Sequence, residues 1–268
     1  MIDMDELKPH EEIVEATVTK LVNAVQSEGL LRDPLMIDKE SYVVLDGMHR
    51  YNALRRMKCH FAPCCLLDYN SPLIKVGAWF RLFFVDNPDL LSDRFLSGSK
   101  FTYSKHKRND DKFNYETDTI ILTRGGTNYS LIKPHDPLDR AREAIALERR
   151  IVEQGQHVRY LSETVAIQQL KSGEGNLVIA LPTFSKDQIR EMGIKGQLLP
   201  HKVTRHVIPS RPLAFNIPLD LLTNQEISRE EADKRLSEVL GKRRLERKPA
   251  GSMFDGRRYD EELLIFSK

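Results

Sequence analysis

The stretch YVVLDGMHRYNALRRM, Tyr42 to Met57, sets an apolar run against a helical pattern with only Asp46 and Gly47 between them. Tyr42 to Leu45 are residues that favour a pleated, half-buried strand. From Met48 onward, Tyr51, Leu54 and Met57 recur at helical spacing. The chain must therefore pass from strand to helix within two residues, which makes this segment α/β. A helix that opens this way presents unpaired backbone N–H groups and the positive end of its dipole. His49 and Arg50 add cationic donors in the first turn, where a helix built for stability carries acids. That departure from the local rule points to an anion, and glycine permits the close approach a phosphate needs. The competing reading pairs Arg50 with Asp46 as a local cap and makes His49 a core residue.

The flanking sequence supports a compact alternation of strands and helices over residues 1–70. From Glu11 the pattern is helical, with Ile13, Val14, Val18, Leu21, Val22 and Val25 on one face and Gly29 as a natural stop. DPLMIDKESYVVLDG reads as two strands joined by a tight turn at Lys39-Glu40, and APCCLLDY as a further buried strand. The cysteines Cys59, Cys64 and Cys65 are odd in number and lack metal-ligand spacing, so they read as small apolar thiols in a core.

From Ser71 the character changes. PLIKVGAWFRLFF fits a strand or a buried helix, and periodicity does not choose. Ser97 to Asp118 is polar without a period and reads as a mobile loop. TIILTRGGTNYSLIK reads as a hairpin turning at Gly125-Gly126, followed by an amphipathic helix that Gly155 stops and by a second helix in LSETVAIQQLKSGEGN. LVIALPTFSKDQIREMG then gives a strand, a cap at Ser185 and a short helix, before an extended stretch punctuated by Pro200, Pro209, Pro212 and Pro218. The expected organisation is a core of residues 1–70 plus 176–223, an inserted α+β unit over 71–175, and a charged helix and tail over 224–268. In that helix Ser228 and Glu231 have capping-box spacing.

The 41 basic and 39 acidic residues leave a net charge of +2, short of the excess usual in a dedicated DNA-binding domain. The basic run at Lys242 to Lys248 reads as a solvated face. The acidic start MIDMDELKPHEEIVE is not a secretory signal, and no apolar run approaches spanning length, so a cytoplasmic protein without membrane association is expected.

Two further stretches carry polar groups of the same kind. LKPHEEIVE sets His10, Glu11 and Glu12 at a turn, where Glu12 reads as a favourable helix N-terminal charge. PHKVTRHVIP sets Thr204, Arg205 and His206 between prolines, a hydroxyl, guanidinium and imidazole suited to phosphate or carboxylate. With LDGMHRYNALRRM these stretches, in this order, resemble the signature of the ParB/sulfiredoxin-like fold, an α/β (α+β) nucleotide-binding core. Within that fold the chain looks like the free serine kinases, which phosphorylate the hydroxyl of L-serine to give O-phospho-L-serine. The resemblance covers the first 70 residues and about 180–222 well, touches the middle chiefly at VGAWF, and leaves the tail after Leu222 uncovered.

The resemblance implies Glu11 as catalytic base and Asp46 as a second catalytic residue that either orients the hydroxyl or holds Mg²⁺. It implies that the Gly47 and Met48 amides, with His49 and Arg50, hold the phosphates of ATP or ADP. Thr204, Arg205 and His206 would contact the transferred phosphoryl group or the serine carboxylate, and Trp79 the serine pocket, although Trp79 equally fits a core. Lys8 either approaches the nucleotide or stays exposed. Sulfiredoxins carry a reactive cysteine immediately before the His-Arg pair; Met48 stands there, so sulfiredoxin chemistry is not expected. The expected partners are L-serine and an adenine nucleotide. A DNA-binding ParB-type protein and a non-catalytic sensor are the alternatives. The choice of donor, the oligomeric state and whether the product feeds cysteine synthesis or siderophore assembly lie beyond the sequence.

Overall fold

The computed structural model describes residues 1–88, 96, 102–106, 119–133 and 136–267. The chain is mixed α/β and divides into two units, residues 1–75 with 186–201 and 206–268, and residues 76–185 with 202–205.

In the first unit the helix Glu15–Glu28 closes at Gly29, whose left-handed backbone (φ 68°) turns its N–H onto the Val25 carbonyl. The helix begins at Glu15 and not at Glu11. Residues 10–12 are instead drawn into extended backbone: Leu199 N–H donates to the His10 carbonyl and Glu12 N–H to the Leu199 carbonyl, both at 2.8 Å. Strands Leu35–Asp38 and Val44–Asp46 pair antiparallel, as their alternation predicts. Their connection is set by Asp38, whose carboxylate accepts from the Ser41 hydroxyl at 2.6 Å and from Arg190 Nε at 2.9 Å. Cys64–Leu67 joins in parallel on the other side of Leu35–Asp38. It is an edge strand and not the buried one expected: among the described strands it pairs with Leu35–Asp38 alone, and Leu66 is half exposed. Cys59 is buried in the core and Cys64 packs against it. Burial raises all three thiols, Cys59 and Cys64 to about 12.

The segment after Leu222 is part of this unit. Ser228 caps the helix Arg229–Gly241 by accepting from the Glu231 N–H, and Ala232 and Leu236 enter the same core as Leu35, Ile37 and Leu54. Strand Leu263–Ser267 pairs parallel with Arg211–Leu213 and antiparallel with Arg244–Lys248, whose basic side chains face outward.

The second unit is a six-stranded, wholly antiparallel sheet. In order its strands are Arg159–Ser162, Trp79–Phe83, Leu177–Ala180, Ile120–Thr123, Asn128–Lys133 and Thr102–His106. The ambiguous Pro72–Phe84 run resolves into the strands Lys75–Gly77 and Trp79–Phe83. The hairpin around Gly125-Gly126 forms between Ile120–Thr123 and Asn128–Lys133. The expected loop over 97–118 contains the strand Thr102–His106, and its remaining residues lie outside those described. Helix Pro137–Val152 is capped by Asp136, which accepts from the Asp139 N–H at 3.0 Å. It ends at Val152, short of Gly155. Leu177–Ala180 was expected in the core; it lies inside this sheet, which moves the boundary to 185/186. The other boundary falls at 75/76.

Candidate functional site

Within the first unit, residues 8–12 form an extended strap. Lys8 N–H donates to the Tyr42 carbonyl at 3.0 Å and Val44 N–H to the Lys8 carbonyl at 2.9 Å, a parallel bridge along Val43. Further on, Glu11 bridges Leu199, also in parallel. The backbone on both sides of Glu11 is thus tied to Leu199, while Lys8, three residues earlier, is tied to Tyr42 and Val44, and the Glu11 side chain is held nearly buried at 9 % exposure. The Lys8 amine donates to the Ser41 carbonyl at 2.7 Å, which directs it to the protein's own backbone.

His10 lies inward of Glu11. Its Nδ1 is 2.6 Å from the Val44 carbonyl, and since that oxygen only accepts, the proton resides on Nδ1. Burial lowers the His10 pKa, while the Glu11 and Asp46 carboxylates pull the other way, so both acids act on the same ring. His206 completes this buried group. Its ring meets that of His10 edge to face at 5.8 Å, and its Nε2 lies 2.8 Å from the Tyr69 hydroxyl. Burial, reinforced by His10, pushes His206 down to about 3, and burial also raises Tyr69. A neutral imidazole therefore accepts from a protonated phenol. The His206 ring is taken up by Tyr69 and His10 inside the protein, a different setting from the substrate contact expected.

At the Asp46-Gly47 turn, the helix Met48–Arg56 opens with Gly47 as its N-cap at φ 104°, without a side-chain cap. A Cβ here would lie 2.8 Å from Leu35 Cδ2 and 2.9 Å from Arg50 Nη2. Glycine thus serves two ends: it accepts the left-handed backbone, and it lets the Arg50 guanidinium fold back over the helix start. Arg50 reaches Asp33 at 3.4 Å and Asp46 at 3.5 Å, both long contacts, and its buried Nε has no hydrogen-bond acceptor among the described residues. The local pairing of Arg50 with Asp46 exists but leaves a buried donor unused. Met48 is buried in the core, so its backbone N–H is the group it offers at the helix start. His49 accepts the Val14 N–H on Nε2 at 3.1 Å, which places the neutral ring's proton on Nδ1. Its ring meets that of His201 at 5.4 Å.

The carboxylate of Asp46 is fixed by a residue the sequence reading passed over. Arg211, 2 % exposed, donates Nη1 to Asp46 Oδ2 at 2.5 Å, Nε to Glu261 Oε1 at 2.5 Å and Nη2 to the His206 carbonyl at 3.0 Å. A lone arginine in SRPL has no periodicity to mark it as buried, and no signal in the sequence ties it to Asp46.

The second unit gathers Trp79, Thr204 and Arg205. Arg205 lies 5.9 Å and the Lys202 amine 4.8 Å from the Trp79 ring centroid, each as a cation over the ring. Arg205 pairs with Glu163 at 3.6 Å, and Thr204 is buried. Beneath them Arg81, fully buried, donates to the Trp79 and Lys202 carbonyls at 2.5 and 2.8 Å and to Glu148 at 2.9 Å. Trp79 is half-buried at the start of its strand, which differs from the core placement that was its alternative.

No family model matches the chain. It is 25 % identical over 231 residues to an ATP-dependent L-serine kinase of Staphylothermus marinus, covering 83 % of this chain and 90 % of the relative. It is 23 % identical over 230 residues to the ADP-dependent L-serine kinase SerK of Thermococcus kodakarensis, covering 82 % and 91 %. Among solved structures, a free serine kinase in complex with AMP superposes with a TM-score of 0.69 at 22 % identity, over 82 % of this chain and 92 % of that one. The fold is the one that solved kinase has.

Proposed function

We propose that this protein is a free L-serine kinase that transfers a phosphoryl group from ATP or ADP to the hydroxyl of L-serine. The observation that carries the reading is Glu11, a carboxylate held by paired backbone on both sides within the unit that also presents the glycine-opened helix start and the unused Arg50 donor. The kinases it is similar to, named for ATP in one case and ADP in the other, support the same reading.

In this mechanism the Gly47 and Met48 amides, the Arg50 guanidinium and His49 Nδ1–H receive the nucleotide phosphates at the positive end of the helix. The serine hydroxyl attacks the terminal phosphorus. Its oxygen forms the new P–O bond as the bond to the nucleotide breaks, and ADP leaves from ATP or AMP from ADP. The hydroxyl proton passes to the Glu11 carboxylate, a transfer worth typically ~10²–10⁴-fold in rate. Among the described residues no group of three or more His, Cys, Asp or Glu side chains is arranged to hold a metal ion. A cation carried by the nucleotide needs only one or two protein carboxylates, and Asp46, one-third exposed and held at a single oxygen by Arg211, fits that need. Bound there as the nucleotide complex, Mg²⁺ would neutralise charge on the phosphates. Trp79 and Arg205 of the second unit are assigned to the amino acid, Arg205 to its carboxylate, and Thr204 to the loop that carries Arg205. His206 is assigned to hold His10 and Arg211 in place. A reaction that draws on adenine nucleotides suits the cytoplasm. Its product carries a phosphate leaving group of the kind that cysteine synthesis or siderophore assembly consumes.

The test is to incubate purified protein with L-serine and Mg²⁺, with ATP and ADP in separate reactions, and to read O-phosphoserine and spent nucleotide by mass spectrometry. O-phosphoserine is expected from at least one donor and names it. Glu11→Gln is expected to lose ~10²-fold or more of that rate with nucleotide affinity kept. No product with either donor, from protein that binds both nucleotides, would overturn the reading.

A further inference from the structure

The C-terminal segment reaches the group around Asp46 through one side chain. Glu261, 7 % exposed, accepts from Arg211 Nε, and the same guanidinium donates to Asp46 and to the His206 carbonyl. Three nitrogens of one buried side chain thus serve three segments of the chain. The tail is seated firmly enough to define this contact. Arg211 N–H donates to the Glu262 carbonyl at 2.9 Å, the Ser210 hydroxyl donates to the Glu262 carboxylate at 2.5 Å, and Arg211 pairs in register with Leu263. Leu213, Tyr259, Leu263 and Ile265 form their own small core behind it.

We propose that Glu261 is a positioning residue for phosphoryl transfer, holding Arg211 so that Arg211 sets the place of the Asp46 carboxylate. This rests on the kinase reading above. Arg211 holds Asp46 more closely than Arg50 does, at 2.5 Å against 3.5 Å. A guanidinium offers a planar fork that prefers to grip one carboxylate with two nitrogens. Glu261 engages Nε, while the His206 carbonyl engages Nη2, the nitrogen that would complete a fork on Asp46 with Nη1; gripped at both, the guanidinium keeps its contact with Asp46 single. Without Glu261, the buried Nε loses its acceptor, and the guanidinium regains one by turning further onto Asp46. That turn draws the carboxylate away from its place and leaves it under the full charge of Arg211. A residue outside the nucleotide site would in this way set the geometry of a residue inside it.

The experiment compares the parent with Glu261→Ala, Glu261→Gln and, as a control for tail seating, Ser210→Ala, all in the full chain. Turnover is followed as O-phosphoserine formation, and the place of the Asp46 carboxylate is read from crystal structures of the parent and of Glu261→Ala. Glu261→Ala is expected to lower kcat about 10-fold or more, since misplacement by a fraction of an ångström has such effects. KM for serine and nucleotide should stay within about twofold, because the binding groups are untouched. Glu261→Gln, which keeps an oxygen that accepts from Nε, should recover part of kcat, and Ser210→Ala should leave kcat unchanged. If Glu261→Ala and Ser210→Ala both lower the melting temperature alike with kcat and the Asp46 carboxylate unmoved, Glu261 is an anchor for the tail and the proposal fails. Should the parent form no O-phosphoserine at all, the kinase reading fails by itself. The place of Asp46 in the two structures then still decides whether Glu261 acts on Asp46 through Arg211.

Discussion

At the scale of single residues, Gly47 shows how far sequence can speak. Its place between a strand and a helix start made a left-handed, closely approached backbone the expectation, and φ 104° with Arg50 folded over it gives the reason. Gly47→Ala is expected to destabilise the fold by roughly 1–2 kcal/mol from the backbone alone. It should weaken nucleotide binding further because a Cβ displaces the Arg50 guanidinium. Thermal melts and calorimetric titration with ADP separate the two effects; unchanged affinity in a folded variant would remove Arg50 from the phosphate site. Arg211 shows the limit of that legibility, since its burial comes from contacts with residues 165 positions before it and 50 after it. His206 was visible as a polar residue beside Arg205, but not as a neutral one sealed between Tyr69 and His10. Its pH dependence follows with a definite sign. The folded ring binds a proton only near pH 3, while the unfolded ring does so near 6.5, so the unfolded state holds more protons between those values. Its contribution is complete above about pH 6.5 and is lost as pH falls toward 3, by up to ~1.4 kcal/mol per unit. His10 lies in the same burial and adds to the loss; Asp46 opposes it, while Arg211 and Lys186 reinforce it. His206→Asn should show a shallower fall in stability between pH 6.5 and 4 than the parent, read by urea titration at each pH. Equal slopes would mean that the ring is not buried as a neutral group.

At the scale of elements, the signals that succeeded were local and the ones that failed were claims on the same residues by distant partners. The strand pair around Asp38 and the Gly125-Gly126 hairpin each contain their own turn and were readable. Residues 11–14 have a helical pattern, yet Leu199 pairs with the backbone of residues 10–12 and the helix waits until Glu15. This displacement is what leaves Glu11 on an extended strap, so the missed boundary and the candidate base have one cause. Gly193 is a second such case. It lies in the short helix expected after Ser185. In Lys186–Ile194 it is a helical residue pressed against Val43, and an added Cβ would meet Val43 Cγ2 at 2.7 Å. Because glycine costs helix propensity relative to alanine, an exposed Gly193→Ala would stabilise. Here the close approach wins, and the substitution is expected to destabilise by about 1–3 kcal/mol through overpacking. A Gly193→Ala variant that melts at or above the parent's temperature would show that the helix moves away from Val43 at little cost.

At the scale of the whole molecule, the sequence marks a change of composition near residue 71, and the two units of the structure part at 75/76 and 185/186. Leu177–Ala180 looks like any buried strand, and only its neighbours Trp79–Phe83 and Ile120–Thr123 assign it to the second unit. The tail was hardest to read, since its parallel pairing with Arg211–Leu213 links segments about fifty residues apart and leaves no short-range mark. One core cluster of the first unit is built from residues 1–62 and 215–236. A cluster built within one unit need not unfold when residues of the other are removed. Replacing residues 76–185 by a short Gly/Ser linker is therefore expected to leave a cooperatively folding protein, with helical circular dichroism retained and ADP still bound at the helix Met48–Arg56. The same protein should form no O-phosphoserine, since Trp79 is removed and Arg205 has lost Glu163. Loss of the melting transition would show that the first unit depends on the second for its stability. Retained turnover would remove Trp79 from the serine site.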